Sequence, residues 1–161
     1  MGYSLLVYEP LRAFPQQLRD LIASIPQDRL RVRGTDGTFA PVEQAWHLAD
    51  LEVEGYGMRI ARIIEEDSPE LGDFKGDVVA KERNYIELEL EPALERFAKA
   101  RRENIARLES ARDHSRTGTQ ESVGRVTLEQ VAEQMAEHDA GHAAELHALL
   151  GELTERIPRP Q

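Results

Sequence analysis

The sequence contains five histidines, and two of them, His138 and His142, stand four residues apart. Residues at that spacing lie one turn apart on one face of a helix, so both imidazoles can converge on one point. Two neutral imidazoles so placed suit a transition metal. They continue a stripe that reads Leu128, Val131, Met135, His138, His142, Leu146 and Leu149. Both therefore occupy inward positions without breaking the apolar register. Burying two neighbouring polar rings is costly unless each finds a partner. Two readings stay open: a pair of metal ligands, or two core histidines hydrogen-bonded to a carbonyl or carboxylate. The segment His138-Asp139-Ala140-Gly141-His142 is not a zinc-protease helix. The residue after its first histidine is the shorter Asp139, and no third ligand follows at a protease-like distance.

A third imidazole is available in Trp46-His47-Leu48-Ala49-Asp50-Leu51, about one turn into a second predicted helix. His47 shares a face there with Leu51, Glu54 and Met58. It reads either as a ligand or as a polar residue near a helix start bonded to the adjacent loop. His114 falls in a loop and is expected to be exposed. His147 is offset from the inward stripe and belongs on the surface or at an interface. Trp46, Tyr3, Tyr8, Tyr56 and Tyr85 are expected to pack.

The elements that must position these residues are four helices. In the first, Leu11, Phe14, Leu18, Leu21, Ile22 and Ile25 form one stripe. Pro15 is expected to kink or start that helix, and Pro26 to stop it. A loop rich in Arg and Gly follows. Pro41 opens the second helix, at a position where a missing N–H costs nothing. Ala45, Leu48, Ala49, Val53, Tyr56, Ile60 and Ile64 give its apolar face, and it ends before Ser68-Pro69. Residues 67–80 are expected to be loop. The third helix carries Leu90, Leu94, Phe97, Ile105 and Leu108. Residues Ile86–Leu90 alternate like a strand, but a lone strand has nothing to pair with, so helix is favoured, broken near Pro92. A loop over about 112–126 leads to Thr127 and Gln130, a capping box for the fourth helix. Pro158 and Pro160 are expected to end the ordered chain. With no credible set of strands, the fold class is an all-α four-helix bundle with long connecting loops.

The length of 161 residues suits a single domain, with its core over about residues 8–152. The formal charge of −10 repels phosphate backbones, so neither nucleic acid nor an anionic membrane is an expected partner. The absence of cysteine excludes disulfides, Cys-ligated zinc, iron–sulfur clusters and a cysteine nucleophile. A catalytic thiol would have to come from outside. No apolar run approaches a membrane span, and the N-terminus lacks the pattern of a signal peptide, so a cytoplasmic location is expected.

Three stretches carry a resemblance to a known family: Pro41–Asp50, Gly124–Leu128, and His138-Asp139-Ala140-Gly141-His142-Ala143-Ala144-Glu145-Leu146. The sequence resembles the DinB-like superfamily, also called the YfiT-like metal-dependent hydrolases, over about residues 8–152. The resemblance implies a four-helix bundle, often dimeric, with a divalent metal held by three histidines near one end. Carried over by position, these are His47, His138 and His142. Zinc, nickel and iron are the family's metals, and three imidazoles would also accept manganese. The resemblance further implies a small-molecule substrate and, in some members, an external low-molecular-weight thiol such as bacillithiol or mycothiol. Where many members have glutamine three residues after the last histidine, this chain has Glu145.

Three protein ligands leave a tetrahedral metal one open position, as catalytic zinc sites do. Asp50 and Glu145 are candidates to fix the tautomer of a ligating histidine or to act as general base, and Glu145 could also be a fourth ligand. Asp139 is expected to be an ordinary solvated carboxylate. The loop residues Arg31, Arg33, Arg116 and Arg125 could grip an anionic substrate, though solvation is the simpler reading. The leading expectation is a metal-dependent enzyme of the thiol S-transferase or hydrolase kind. The alternative is a non-catalytic, stress-related helical bundle with a structural or adventitious metal.

Overall fold

In the computed structural model, which describes the backbone of residues 2–155 and side chains over 7–154, the first apolar stripe forms helix α1 (Gly2–Ala23). The side chain of Tyr3 and the prolines Pro158 and Pro160 lie outside the described residues. Helix α1 starts well before Pro15 and runs through both Pro10 and Pro15. A proline inside a helix leaves the carbonyl four residues earlier without its donor. That carbonyl belongs to Leu11, and it accepts from Arg101 Nη1 at 3.1 Å instead. The missing partner comes from another helix, and α1 continues.

The second predicted helix is a continuous rod made of α2 (Pro41–Asp50), a π-helical segment (Leu51–Gly57) and α3 (Met58–Glu65). Pro41 occupies the first turn, and Glu43 Oε1 accepts the Ala40 N–H at 3.0 Å. A π turn takes an extra residue and rotates everything after it. The inward positions become Glu52 and Ile63, at 1% and 0% exposure, while Val53 turns outward at 36%. The face expected to unite His47 with Met58 is therefore split, and Met58 lies exposed. Asn104 Nδ2 donates to the Glu52 carbonyl at 2.9 Å. Gly57 makes room for that contact, because a Cβ there would sit 2.9 Å from the same carbonyl oxygen.

The stretches expected to be loops hold regular structure. They contain β1 (Glu70–Leu71), α4 (Gly76–Glu82), β2 (Thr117–Gln120) and β3 (Gly124–Thr127). β1 pairs parallel to β2, and β2 pairs antiparallel to β3. Strands of two to four residues are too short to show a periodicity, so the sequence conceals them. Gly118 is required by packing, since a Cβ there would lie 2.8 Å from Leu71 Cδ1. Gly124 has φ of +92°, a conformation that favours glycine. Residues Ile86–Leu90 form no strand; a 3-10 turn at Tyr85–Glu87 leads into α5 (Leu90–Ser110), with Pro92 in its first turn. Helix α6 (Leu128–Glu155) starts on the expected capping box. Gln130 N–H donates to Thr127 Oγ1 at 3.1 Å, and Thr127 N–H to Gln130 Oε1 at 2.9 Å.

The long helices pack as a bundle, α1 against α5 and α6, and α2 against α5. Their apolar faces form two clusters. One includes Leu11, Tyr56, Ile60, Ile105, Leu108 and Met135; the other includes Phe14, Leu18, Leu48, Phe97, Leu146 and Leu149. Between them lies a buried polar layer centred on Arg101. Its guanidinium donates to both oxygens of Glu52 at 2.7 and 3.1 Å, and to both oxygens of Asp139 at 2.7 and 2.8 Å. Asp139, expected to be solvated, is 5% exposed. Burial raises its pKa to about 6 even against the pull of Arg101. Arg101 itself is opposed by burial, but Asp139 and Glu52 hold it firmly charged.

Removing one member of a buried ion pair strands its partners. Arg101→Met is expected to cost about 3–5 kcal/mol in urea denaturation. Arg19→Met, which removes the exposed pair with Glu91 at 2.7 Å, should cost about 1 kcal/mol or less.

Candidate metal centre

Consecutive side chains leave helix α6 about 100° apart. Asp139 enters the polar core, and His138 turns toward the end of the rod that carries His47. His142 lies one turn further along the same face. The structure brings all three histidines together: one nitrogen from each lies within 4.8 Å of the others. The ring centroids of His138 and His142 are 4.4 Å apart, and those of His47 and His142 are 5.1 Å apart. All three residues are half-buried. Phe39 and Phe74 flank His47, at 6.0 and 6.1 Å, and Tyr56 meets His138 edge-on at 6.0 Å.

The hydrogen bonds around His142 decide which of its nitrogens is free. Gln44 is fully buried, and its Nε2 donates to Glu145 Oε2 at 2.9 Å and to the Phe39 carbonyl at 3.3 Å. Its Oε1 must therefore be the atom facing His142 Nδ1, at 2.5 Å. An amide oxygen only accepts, so Nδ1 carries the proton and Nε2 keeps its lone pair. Nε2 points at His138 Nε2, 3.1 Å away. At His47, Nδ1 is buried with no hydrogen-bond partner. A buried nitrogen in that state is left for a partner from outside the chain.

Burial and mutual repulsion keep the rings neutral. Desolvation, then the nearby His142, pushes His47 down to about 4. Desolvation with His142 and His47 pushes His138 to about 3, and desolvation alone pushes His142 to about 4. Neutral imidazole is the ligating form. Gly76 at the start of α4 closes over His47, where a Cβ would lie 2.7 Å from the ring. The donor set and geometry fit a first-row divalent ion, with zinc–nitrogen bonds of about 2.0–2.1 Å within reach of small side-chain rotations.

The remaining candidate residues fall on both sides of this cluster. Glu145 reaches to 3.4 Å from His142 Nδ1, on the ring edge away from the other two histidines. It is positioned to orient that ring together with Gln44. Asp50 is buried, and its oxygens accept from Tyr85 Oη at 2.5 Å, Arg83 Nη1 at 2.7 Å and Arg96 Nε at 3.0 Å. They tie α2 to the segments before and within α5. His114 is half-buried rather than exposed, with Nε2 2.6 Å from the Leu108 carbonyl oxygen. His147 is exposed. Arg31 donates to the Ile86 and Leu88 carbonyls, Arg33 to Glu43, and Arg116 to the Ile63 carbonyl. These loop arginines hold the protein together, and Arg125 is exposed. The sequence reading missed Gln44. Its position in the first turn of the helix that bears His47, three residues earlier on the same side, was the available signal.

Each histidine binds a proton more weakly when folded than when unfolded. The unfolded chain therefore holds more protons below pH 6.5, and stability falls as pH drops from there toward 4. Asp139 acts in the opposite direction, gaining a proton near 6, but one carboxyl cannot offset three imidazoles. Metal-free protein is expected to lose about 1 kcal/mol per histidine between pH 7 and pH 5.5, read from urea midpoints. Gln44→Ala frees the His142 ring and is expected to weaken metal affinity about 10–100-fold, by competition with a chelating dye, with the fold intact by circular dichroism.

Among curated proteins none matches the chain. Among solved structures, YfiT from Bacillus subtilis, a probable metal-dependent hydrolase with an unusual four-helix bundle topology, has the same fold. It superimposes with a TM-score of 0.82 at 18% identity, covering 92% of this chain and 87% of that one. The family model of the DinB superfamily matches residues 11–146, from Leu11 on α1 to Leu146 on α6, beyond His142. The chain belongs to the DinB superfamily.

Proposed function

We propose that His47, His138 and His142 hold one divalent metal and that the protein is a metal-dependent enzyme, a hydrolase or a thiol S-transferase acting on a small molecule. The observation that carries this reading is the convergence of three neutral, half-buried imidazoles within 4.8 Å of one another, one of them with an orphaned nitrogen. A core of satisfied histidines would leave no such orphan. A structural site would be closed by a fourth protein ligand, whereas Glu145 stands behind His142, at its Nδ1 edge. YfiT, whose fold this chain shares, is a probable metal-dependent hydrolase, which agrees with this reading.

Zinc or nickel is the metal favoured by an all-imidazole set, with iron next and manganese least suited. Such an ion supplies Lewis acidity, which makes a water or an external thiol nucleophilic near neutral pH. The protein's own residues do the rest. Gln44 and Glu145 fix the His142 ring, and Phe39 and Phe74 limit water around His47. Asp50 is fully committed to Tyr85, Arg83 and Arg96, and Glu145 serves His142 from its Nδ1 edge, as an orienting group rather than a base at the metal. The chain has no cysteine to compete for the metal, which suits a role for an external thiol such as bacillithiol or mycothiol. A homodimer is the assembly proposed for it.

The test is metal content by mass spectrometry on untagged protein purified without chelators. Wild type is expected to carry about one ion per chain and His138→Ala to carry none. Wild type without metal, even after incubation with zinc, nickel and manganese, overturns the proposal. Thiol consumption in the presence of electrophiles, set against ester and amide hydrolysis without thiol, then separates the transferase from the hydrolase.

A further inference from the structure

Arg59 is a buried cation that the fold does not match. It is 5% exposed, and its Nε is buried without a hydrogen-bond partner. Among the described residues it joins no ion pair, whereas Arg101, buried more deeply, holds two carboxylates. Burial lowers its pKa, so the site stores an unfavourable charge. The guanidinium lies over the Tyr56 ring, 5.4 Å from its centroid. That same ring meets His138 at 6.0 Å. One aromatic side chain thus separates the unmatched cation from the histidine cluster.

Asp73 is the carboxylate whose charge acts on Arg59, and it does so without forming an ion pair with it. Its Oδ1 already accepts from Ser122 Oγ at 2.9 Å and from Gln120 Nε2 at 3.4 Å. Gln120 contributes a second independent signal: its Oε1 is also buried without a partner. A donor and an acceptor are left open in the neighbourhood of one carboxylate. Buried polar groups in a finished core are satisfied, so two orphans at one place mark a ligand site.

We infer that Arg59 is the anion-binding end of the substrate site, taking the carboxylate of a small molecule whose reacting end lies at His47, His138 and His142. The planar fork of an arginine matches a carboxylate with two parallel hydrogen bonds. A singly charged group neutralises one cation, while a dianionic phosphate would leave excess negative charge beside Asp73. Gln120 Oε1 offers an acceptor for a hydroxyl or amide N–H on the same molecule. The position of the reacting end rests on the metal reading above; the anion site does not.

The experiment follows the Gln120 backbone amide resonance, which the variants retain, in proton–nitrogen spectra of the full chain, with and without added zinc, during titration with sodium acetate and separately with inorganic phosphate. Acetate is expected to shift that resonance saturably, more tightly than phosphate. Arg59→Gln should weaken acetate binding at least tenfold, and Arg59→Lys by less. Both variants should keep the wild-type metal content and melt close to wild type, since the contact they lose is the guanidinium on the Tyr56 ring and no hydrogen bond or ion pair is broken. Tighter phosphate binding overturns the carboxylate class. No saturable shift, or equal acetate binding in a folded Arg59→Gln protein, overturns the site. Acetate binding that persists in a protein unable to hold metal sustains this inference while the metal reading fails.

Discussion

Arg101 carries a full charge into the bundle at 1% exposure, and four segments are tied to it. Its donors reach Glu52 in the π-helical turn, Asp139 on α6 and the Leu11 carbonyl that Pro15 leaves free on α1, all from a base on α5. A buried guanidinium tolerates no slippage, because any shift of one helix along another would strand charged oxygens away from water. The apolar clusters on either side supply attraction that depends little on register. The polar layer between them sets the register. Asn104 and Gly57 complete it by reaching the carbonyl of Glu52 at the widened π turn.

That register also places the metal centre. Asp139 is locked inward, so its neighbour His138 must leave the helix on the side facing His47, and His142 follows one turn later. The π turn contributes from the other side, since it lets Glu52 reach the core without displacing His47 from the site. Orientation of the rings is then local. Gln44, held by Glu145 and the Phe39 carbonyl, dictates the tautomer of His142. Gly76 admits the His47 ring under α4. Imidazoles held this way would lose little conformational freedom on meeting an ion.

The charge pattern of the chain separates in the same way. The arginines in the loops look free in the sequence, yet Arg31, Arg33 and Arg116 are spent on carbonyls and on Glu43. Arg59, in the helical segment after the π turn, keeps a buried Nε without a partner. Exposure and hydrogen-bond state depend on which elements pack together, and that information is absent from local composition.

Local sequence by itself determined the long helices, because a stripe with helical spacing needs only neighbours within one helix to be recognised. It determined the capping box at Thr127, the inward register of His138 and His142, and, through the resemblance carried by Pro41–Asp50 and the last helix, the partnership with His47. Tertiary structure alone decided the rest. The passage of α1 through Pro15 depends on a donor from α5. The burial of Asp139 depends on Arg101, 38 residues away in the chain. The short strands exist only because Leu71, Gly118 and Val126 meet across the ends of the bundle. The role of Gln44 depends on contacts 98 and 101 residues distant. The division follows from range: periodicity records interactions within a few residues, whereas charge matching and orphaned hydrogen bonds are settled between segments that only the fold brings together.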